Sequence, residues 1–287
     1  MKYSYKEICY YFKCRFPAII KGRYIKHNLI KVHWGRGLNN FGDCLQPDIL
    51  KYYGLTPVYV PNLNQSDIIL AGSILQWVSS DYSGYIIGTG GDNMEYNFPN
   101  ATVLAVRGKL TLSNIQGGAV SEIKLGDPGL LMSLVYPEKL VVRYKLGIIP
   151  HFVDKEGDII KKWKEKFGAE VLFIDVLKSP KEVIEKIKQC ASIISSSLHG
   201  LIIADAFYIP NMRFIDRKTM PTSFYDYKFD DYYSSLGCSS SYLEVNGNET
   251  LSDLISVTNL KPINRIKSLQ TDLNQVMLEC TNKFKLR

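Results

Sequence analysis

The sequence predicts an α/β protein of two doubly wound, Rossmann-like lobes, each built on a parallel sheet. Three observations carry this. Short apolar runs recur through residues 29–106, and each stops at glycines, as parallel strands with loops at their carboxyl ends do. The alternation of apolar strand and amphipathic helix restarts after a charged segment at 136–144, which carries Pro137 and reads as a linker. At 287 residues the chain can hold two such units.

In the first lobe, residues 28–137, a buried strand over 29–34 runs into a glycine- and amide-rich loop ending at Asp43. His33, inside that strand, reads as a core residue. A helix over 46–53 stops at Gly54. Strands at 67–71, 85–87 and 103–106 follow, ending at Gly72, at Gly88-Thr89-Gly90-Gly91 and at Arg107-Gly108. The second lobe, residues 138–260, opens with a strand at 146–149 that runs into Pro150-His151. Ile159, Ile160, Trp163 and Phe167 form one face of a helix at 158–167. A strand at 171–174 precedes the capping box Ser179-Pro180-Lys181-Glu182, whose helix buries Val183, Ile184 and Ile187. Strands at 193–194 and 212–215 complete the lobe. A stripe from Ile266 through Leu273 and Met277 to Phe284 is a helix of its own in the last segment, 261–287.

Charge is concentrated at one end. Residues 1–27 hold seven Lys and Arg and one acid, Glu7, so they carry +6 of the chain's +7. The remainder is close to neutral, which excludes a chain-wide nucleic-acid footprint. Tyr5, Ile8, Cys9, Phe12 and Phe16 fall at helical spacing beside those charges. Such a basic amphipathic segment can lie on an anionic membrane surface, or pack on its own domain with its lysines solvated. No apolar run approaches a membrane span, and no signal-peptide pattern opens the chain, so the expected compartment is the cytoplasm. The six cysteines are scattered and read as reduced thiols without zinc-site spacing.

The richest motif is Ser195-Ser196-Ser197-Leu198-His199-Gly200, between the apolar pair Ile193-Ile194 and an apolar helix. It sets hydroxyls and a titratable ring at a helix N-terminus, where the macrodipole and free N–H groups favour anions. His199 there can serve as acid or base, or simply cap the helix. The serines can hydrogen-bond an anion or cap, and Gly200 permits close approach. Arg107, at a strand end, suits a carboxylate or phosphate, or a surface ion pair. Asn40, Gly42 and Asp43 form a strand-end loop in which Asp43 can cap the next helix. Gly90 sits in a loop that could cradle an anion or make a plain turn. His151 ends a strand and either faces the cleft or is structural. Lys228 follows a tyrosine-rich loop and either reaches an anion or is solvated. There is no dinucleotide fingerprint, Walker loop or nucleophile elbow.

Six motifs occur in order along residues 30–235: Asn40-Phe41-Gly42-Asp43; Val106-Arg107-Gly108; Leu125-Gly126-Asp127-Pro128-Gly129; Ile149-Pro150-His151; Ser195-x-x-x-His199-Gly200 with Ala204-Asp205-Ala206; and Lys228-Phe229-x-Asp231-Tyr232. Through this ordered set the chain resembles the polysaccharide pyruvyl transferase family. The resemblance implies a fold similar to the B-type glycosyltransferases, with the C-terminal helix returning to the first lobe. It implies transfer of a pyruvyl group from phosphoenolpyruvate to a sugar, as a cyclic ketal, with no metal or other cofactor. It further implies a lipid-linked acceptor in bacterial polysaccharide assembly, met at the inner face of the membrane. Arg107 would bind the donor and His199 would move the proton. Ser195, Ser196, Ser197, Gly200, His151 and Lys228 would line the donor side. Asn40, Gly42, Asp43 and Gly90 would belong to the acceptor side or its loops. Members often carry Ser-x-Arg-x-His at the second-lobe turn; here Ser197 holds the arginine position. Lys228 would then supply the missing charge, or the donor differs. A nucleotide-sugar glycosyltransferase and a non-catalytic glycan- or anion-binding protein are the two other readings of the same cleft.

Overall fold

The computed structural model describes residues 28–35, 40–116, 122–219 and 223–285. The basic segment expected over 1–27 lies outside them. The first half runs β1 (Leu29–Val32), α1 (Gln46–Tyr52), β2 (Thr56–Tyr59), β3 (Ile68–Ile69), β4 (Tyr85–Ile87), β5 (Tyr96–Asn97), β6 (Thr102–Val106), α2 (Lys109–Asn114), β7 (Ile115–Gln116), β8 (Lys124–Leu125) and α3 (Met132–Val135). The second runs β9 (Leu146–Ile149), α4 (Asp158–Lys166), β10 (Val171–Phe173), α5 (Pro180–Ile187), β11 (Ile193–Ser195), α6 (Leu198–Ala206), β12 (Asn211–Ile215), α7 (Ser223–Leu236), β13 (Tyr242–Glu244), α8 (Leu251–Ser256) and α9 (Ile263–Lys285).

These strands make two parallel sheets, a mixed α/β architecture of Rossmann-like type. The first has the order β2-β1-β3-β4-β6-β8 and the second β10-β9-β11-β12-β13. Every pairing within both is parallel. The central strands are buried on both faces, which is why they read as unbroken apolar runs. A small β5-β7 ladder flanks the first sheet.

One apolar cluster crosses between the sheets. It contains Ile30 and Ile68 from the first, Ile149 and Ile193 from the second, and Ile202 of α6. Helix α9 buries Ile266, Leu269, Leu273, Met277 and Phe284. It lies on the first sheet: a Cβ at Gly126 would press on Leu273, and Phe284 meets Tyr85 edge-on. Gln270 Nε2 donates to the carbonyls of Leu130 and Ala206, one from each half. No helix of the described residues is long and apolar enough to cross a membrane.

Two expectations change here. Strand β1 stops at Val32, so His33 is not a core residue; it sits half-buried in the loop, Nδ1 3.0 Å from the Val60 carbonyl. Lys228 lies within α7, not after a loop. Phe229, Tyr232, Tyr233 and Leu236 are the buried face that makes that segment helical.

Candidate active site

The carboxyl ends of β1, β3, β9 and β11 face one cavity of about 290 Å³. Parallel sheets bind ligands at that end because the strand-to-helix loops and helix N-termini converge there. From the first half it is lined by residues including His33, Trp34, Asn40, Asp43, Gln46, Ser73, Gln76, Trp77 and Asp92; from the second by His151, Phe152, Ser197, His199, Tyr225 and Lys228.

His199 stands in the first turn of α6, where the apolar sequence Leu201–Ala204 buries the helix completely. Only 7% of the residue is exposed. Its ring lies against Gly42, where a Cβ would overlap the imidazole. That contact explains the glycine in the Asn40–Asp43 loop better than turn geometry does. Among the described residues His199 Nε2 is buried without a hydrogen-bond partner, and so is Asp127 Oδ2, 3.9 Å away. Asp127 is fully buried, its other oxygen accepting from Gly129 N–H at 2.8 Å. Burial pushes its carboxyl up to about 6, against the pull of that N–H and of Arg107. Burial, with the charges of Lys228 and Arg107, lowers His199 to about 3, so it is neutral at neutral pH.

With Trp34, Gln46, Gln76 and Trp77 of the lining, Asp127 is a residue that reasoning from local chemistry missed. It entered only as one letter of the Leu125–Gly129 motif, because its partner is distant in sequence. The second sheet's serines divide. Ser195 Oγ shares its one proton between the Ile149 and Ser197 carbonyls and accepts from Ser197 N–H. Ser196 Oγ donates to Asp154 and accepts from His151 N–H. Asp154 is also held by Thr219. Both hydroxyls therefore shape the turn, and Ser197 is the serine on the cavity. A Cβ at Gly200 would meet Ser195 and Ile149, so that glycine serves helix-on-strand packing.

Arg107 departs most from its expected place. Its side chain is 1% exposed and is not on the cavity surface. Nε donates to Asp231 at 2.9 Å, and Nη1 to Ser73. Gly90 supplies its space, since a Cβ there would overlap the guanidinium. Arg107 and Gly90 therefore build the wall behind the cavity. Asp43 does not cap α1, whose N-terminus has no side-chain cap; its carboxylate accepts from Asn40 Nδ2 at 3.2 Å. Desolvation raises Asp43, opposed by Lys228.

Lys228 supplies the cavity's cation among the described residues. It sits over the Tyr225 ring at 5.0 Å. Burial and the nearby Arg107 lower it to about 8, while Asp43 pulls the other way. His151 is buried beside Phe152 and Tyr225 and lowered to about 3, mostly by burial.

Comparison with known proteins gives the family. Over 147 residues the chain is 38% identical to the uncharacterized protein L143 of Acanthamoeba polyphaga mimivirus, covering 46% of this chain and 47% of that one. It is 28% identical over 216 residues to the succinoglycan biosynthesis protein ExoV of Rhizobium meliloti (strain 1021), covering 71% of this chain and 64% of that one. The chain thus spans about half to two thirds of these relatives. No solved structure shows a significant match. The family profile named polysaccharide pyruvyl transferase matches residues 1–217, a span that holds His151, Asp127, Arg107 and the whole serine–histidine turn. The chain belongs to the polysaccharide pyruvyl transferase family.

Proposed function

We propose that the protein transfers a pyruvyl group from phosphoenolpyruvate to two hydroxyls of a sugar, on a fold similar to the B-type glycosyltransferases. The observation that carries the reading is the pairing of a neutral, buried His199, backed by Asp127, with a cavity whose cation is Lys228. Phosphoenolpyruvate brings two anionic groups; Lys228 and the α6 N-terminus attract both. Lys228 also answers for the arginine absent at Ser197.

Nε2 of His199 is turned toward Asp127, so Nδ1, beside Gly42, is the nitrogen that would meet the ligand. His199 takes the proton of the attacking hydroxyl, and Asp127 stabilises the imidazolium that forms. The proton then passes to the methylene carbon, which becomes the methyl group. The central carbon gains the sugar oxygen. The second hydroxyl closes the ketal as phosphate departs with its proton. The acceptor is a lipid-linked saccharide, and residues 1–27 hold the protein at the membrane surface.

The test is incubation with phosphoenolpyruvate and aryl or lipid-linked hexosides, reading phosphate release and a product of added pyruvyl mass. His199→Ala abolishes turnover with the fold intact. Asp127→Asn lowers kcat about 10²-fold with both KM values little changed. Glycosyl addition from a nucleotide sugar, without pyruvyl product, overturns the proposal. Liposome binding that survives deletion of residues 1–27 overturns the membrane role.

A further inference from the structure

The two walls of the cavity differ in chemistry. The second-half wall carries the positive charge and the helix N-terminus. The first-half wall carries oxygen acceptors and indoles: the carboxylates of Asp43 and Asp92, the amides of Asn40, Gln46 and Gln76, and Trp34 and Trp77. No lysine or arginine is among its described lining residues.

Each amide is pinned by its nitrogen. Gln76 Nε2 donates to the Ser73 carbonyl at 2.8 Å, Gln46 Nε2 to that of Ala71 at 3.1 Å, and Asn40 Nδ2 to Asp43. This fixes which end is oxygen. All three oxygens are buried and lack a donor among the described residues. Unfilled acceptors of this kind are costly, and an incoming hydroxyl offsets the cost. Trp34 is held edge-on to Tyr59 at 4.9 Å between centroids. Trp77 closes the 3-10 turn Leu75–Trp77 and is 65% exposed. An open indole offers a flat apolar face of high contact area. Acidic, acceptor-rich and aromatic, this wall repels a phosphate and suits a ring with hydroxyls on its edge and C–H groups on its face.

We infer that the first-half wall binds an uncharged pyranose ring, stacked on Trp77 and donating hydroxyls to the Asn40, Gln46 and Gln76 side. It rests on the pyruvyl-transfer reading only in calling that ring the acceptor. The donor then sits on the Lys228 wall, with His199 between the two.

The experiment measures binding of methyl glucoside, galactoside and mannoside to the full chain, without donor, by tryptophan fluorescence and saturation-transfer NMR. Methyl glucuronide is the charged control. At least one hexoside binds, the glucuronide binds about tenfold more weakly, and Trp77→Ala loses about tenfold in hexoside affinity. Phosphoenolpyruvate binding is unchanged in that variant. Gln76→Ala tests the acceptor side separately and loses affinity in the same direction. In turnover, Trp77→Ala raises the acceptor KM and leaves the donor KM alone. Hexoside binding that is absent from the wild type, equal in Trp77→Ala, or matched by the glucuronide overturns the inference. Trp77-dependent sugar binding without any pyruvyl product leaves the subsite standing and removes the pyruvyl-transfer reading instead.

Discussion

At the scale of single residues, the proposed contact of Lys228 with the donor carries a pH limit. Its ammonium is held near pKa 8, below the ordinary lysine value, so it loses charge as pH rises through 8. If only the charged form takes the donor, donor KM climbs about tenfold per pH unit above that point. Lys228→Arg keeps its charge and flattens the curve up to pH 9, a comparison that steady-state kinetics reads directly. His199 and His151 act on stability with the opposite window. Both are lowered to about 3 by burial, so the unfolded chain binds more protons between 3 and 6.5. Their contribution is whole above pH 6.5 and is lost as pH falls. At pH 5 the loss is about 2 kcal/mol for each. Thermal melting from pH 7 to 5 shows it, and His151→Gln makes the fall shallower.

At the scale of elements, the 3-10 turn Gly42–Cys44 and the first turn of α6 are fitted to each other through one glycine. Gly42→Ala displaces the His199 ring. A shift of about 1 Å at a reacting group costs about 10²-fold in kcat, while circular dichroism stays that of the wild type. What the sequence could disclose divides by how local the cause is. The β11–α6 turn was legible because Ile193-Ile194, the serines and the apolar helix are contiguous. The β2 strand was not, because Pro57 argues against a strand; it is tolerated because β2 is an edge. Helix α7 was hidden by composition. Half of its apolar face is tyrosine, which reads as loop until Phe229, Tyr232, Tyr233 and Leu236 are set at helical spacing. The contact of Arg107 with Asp231 is illegible for another reason: the two lie 124 residues apart, and no local pattern announces the pair.

Across the whole molecule, that pair is a fastening between the halves. Asp231, on α7, accepts from Arg107 Nε and from Thr111 N–H and Oγ1, all of the first half. Asp231→Ala leaves a buried guanidinium without its counter-charge and costs about 3–5 kcal/mol. Calorimetry then gives a melting temperature lower by roughly 10 °C. Asp231→Asn, which keeps a hydrogen-bond acceptor, loses less. The apolar cluster that crosses between the sheets has the same effect on unfolding: the halves melt in one transition rather than two. The position of α9 carries a consequence for biosynthesis. Its buried stripe covers β8 and the turn at Gly126, which leave the ribosome long before it. During translation that apolar face stays uncovered until α9 emerges, which makes the incomplete chain prone to aggregate.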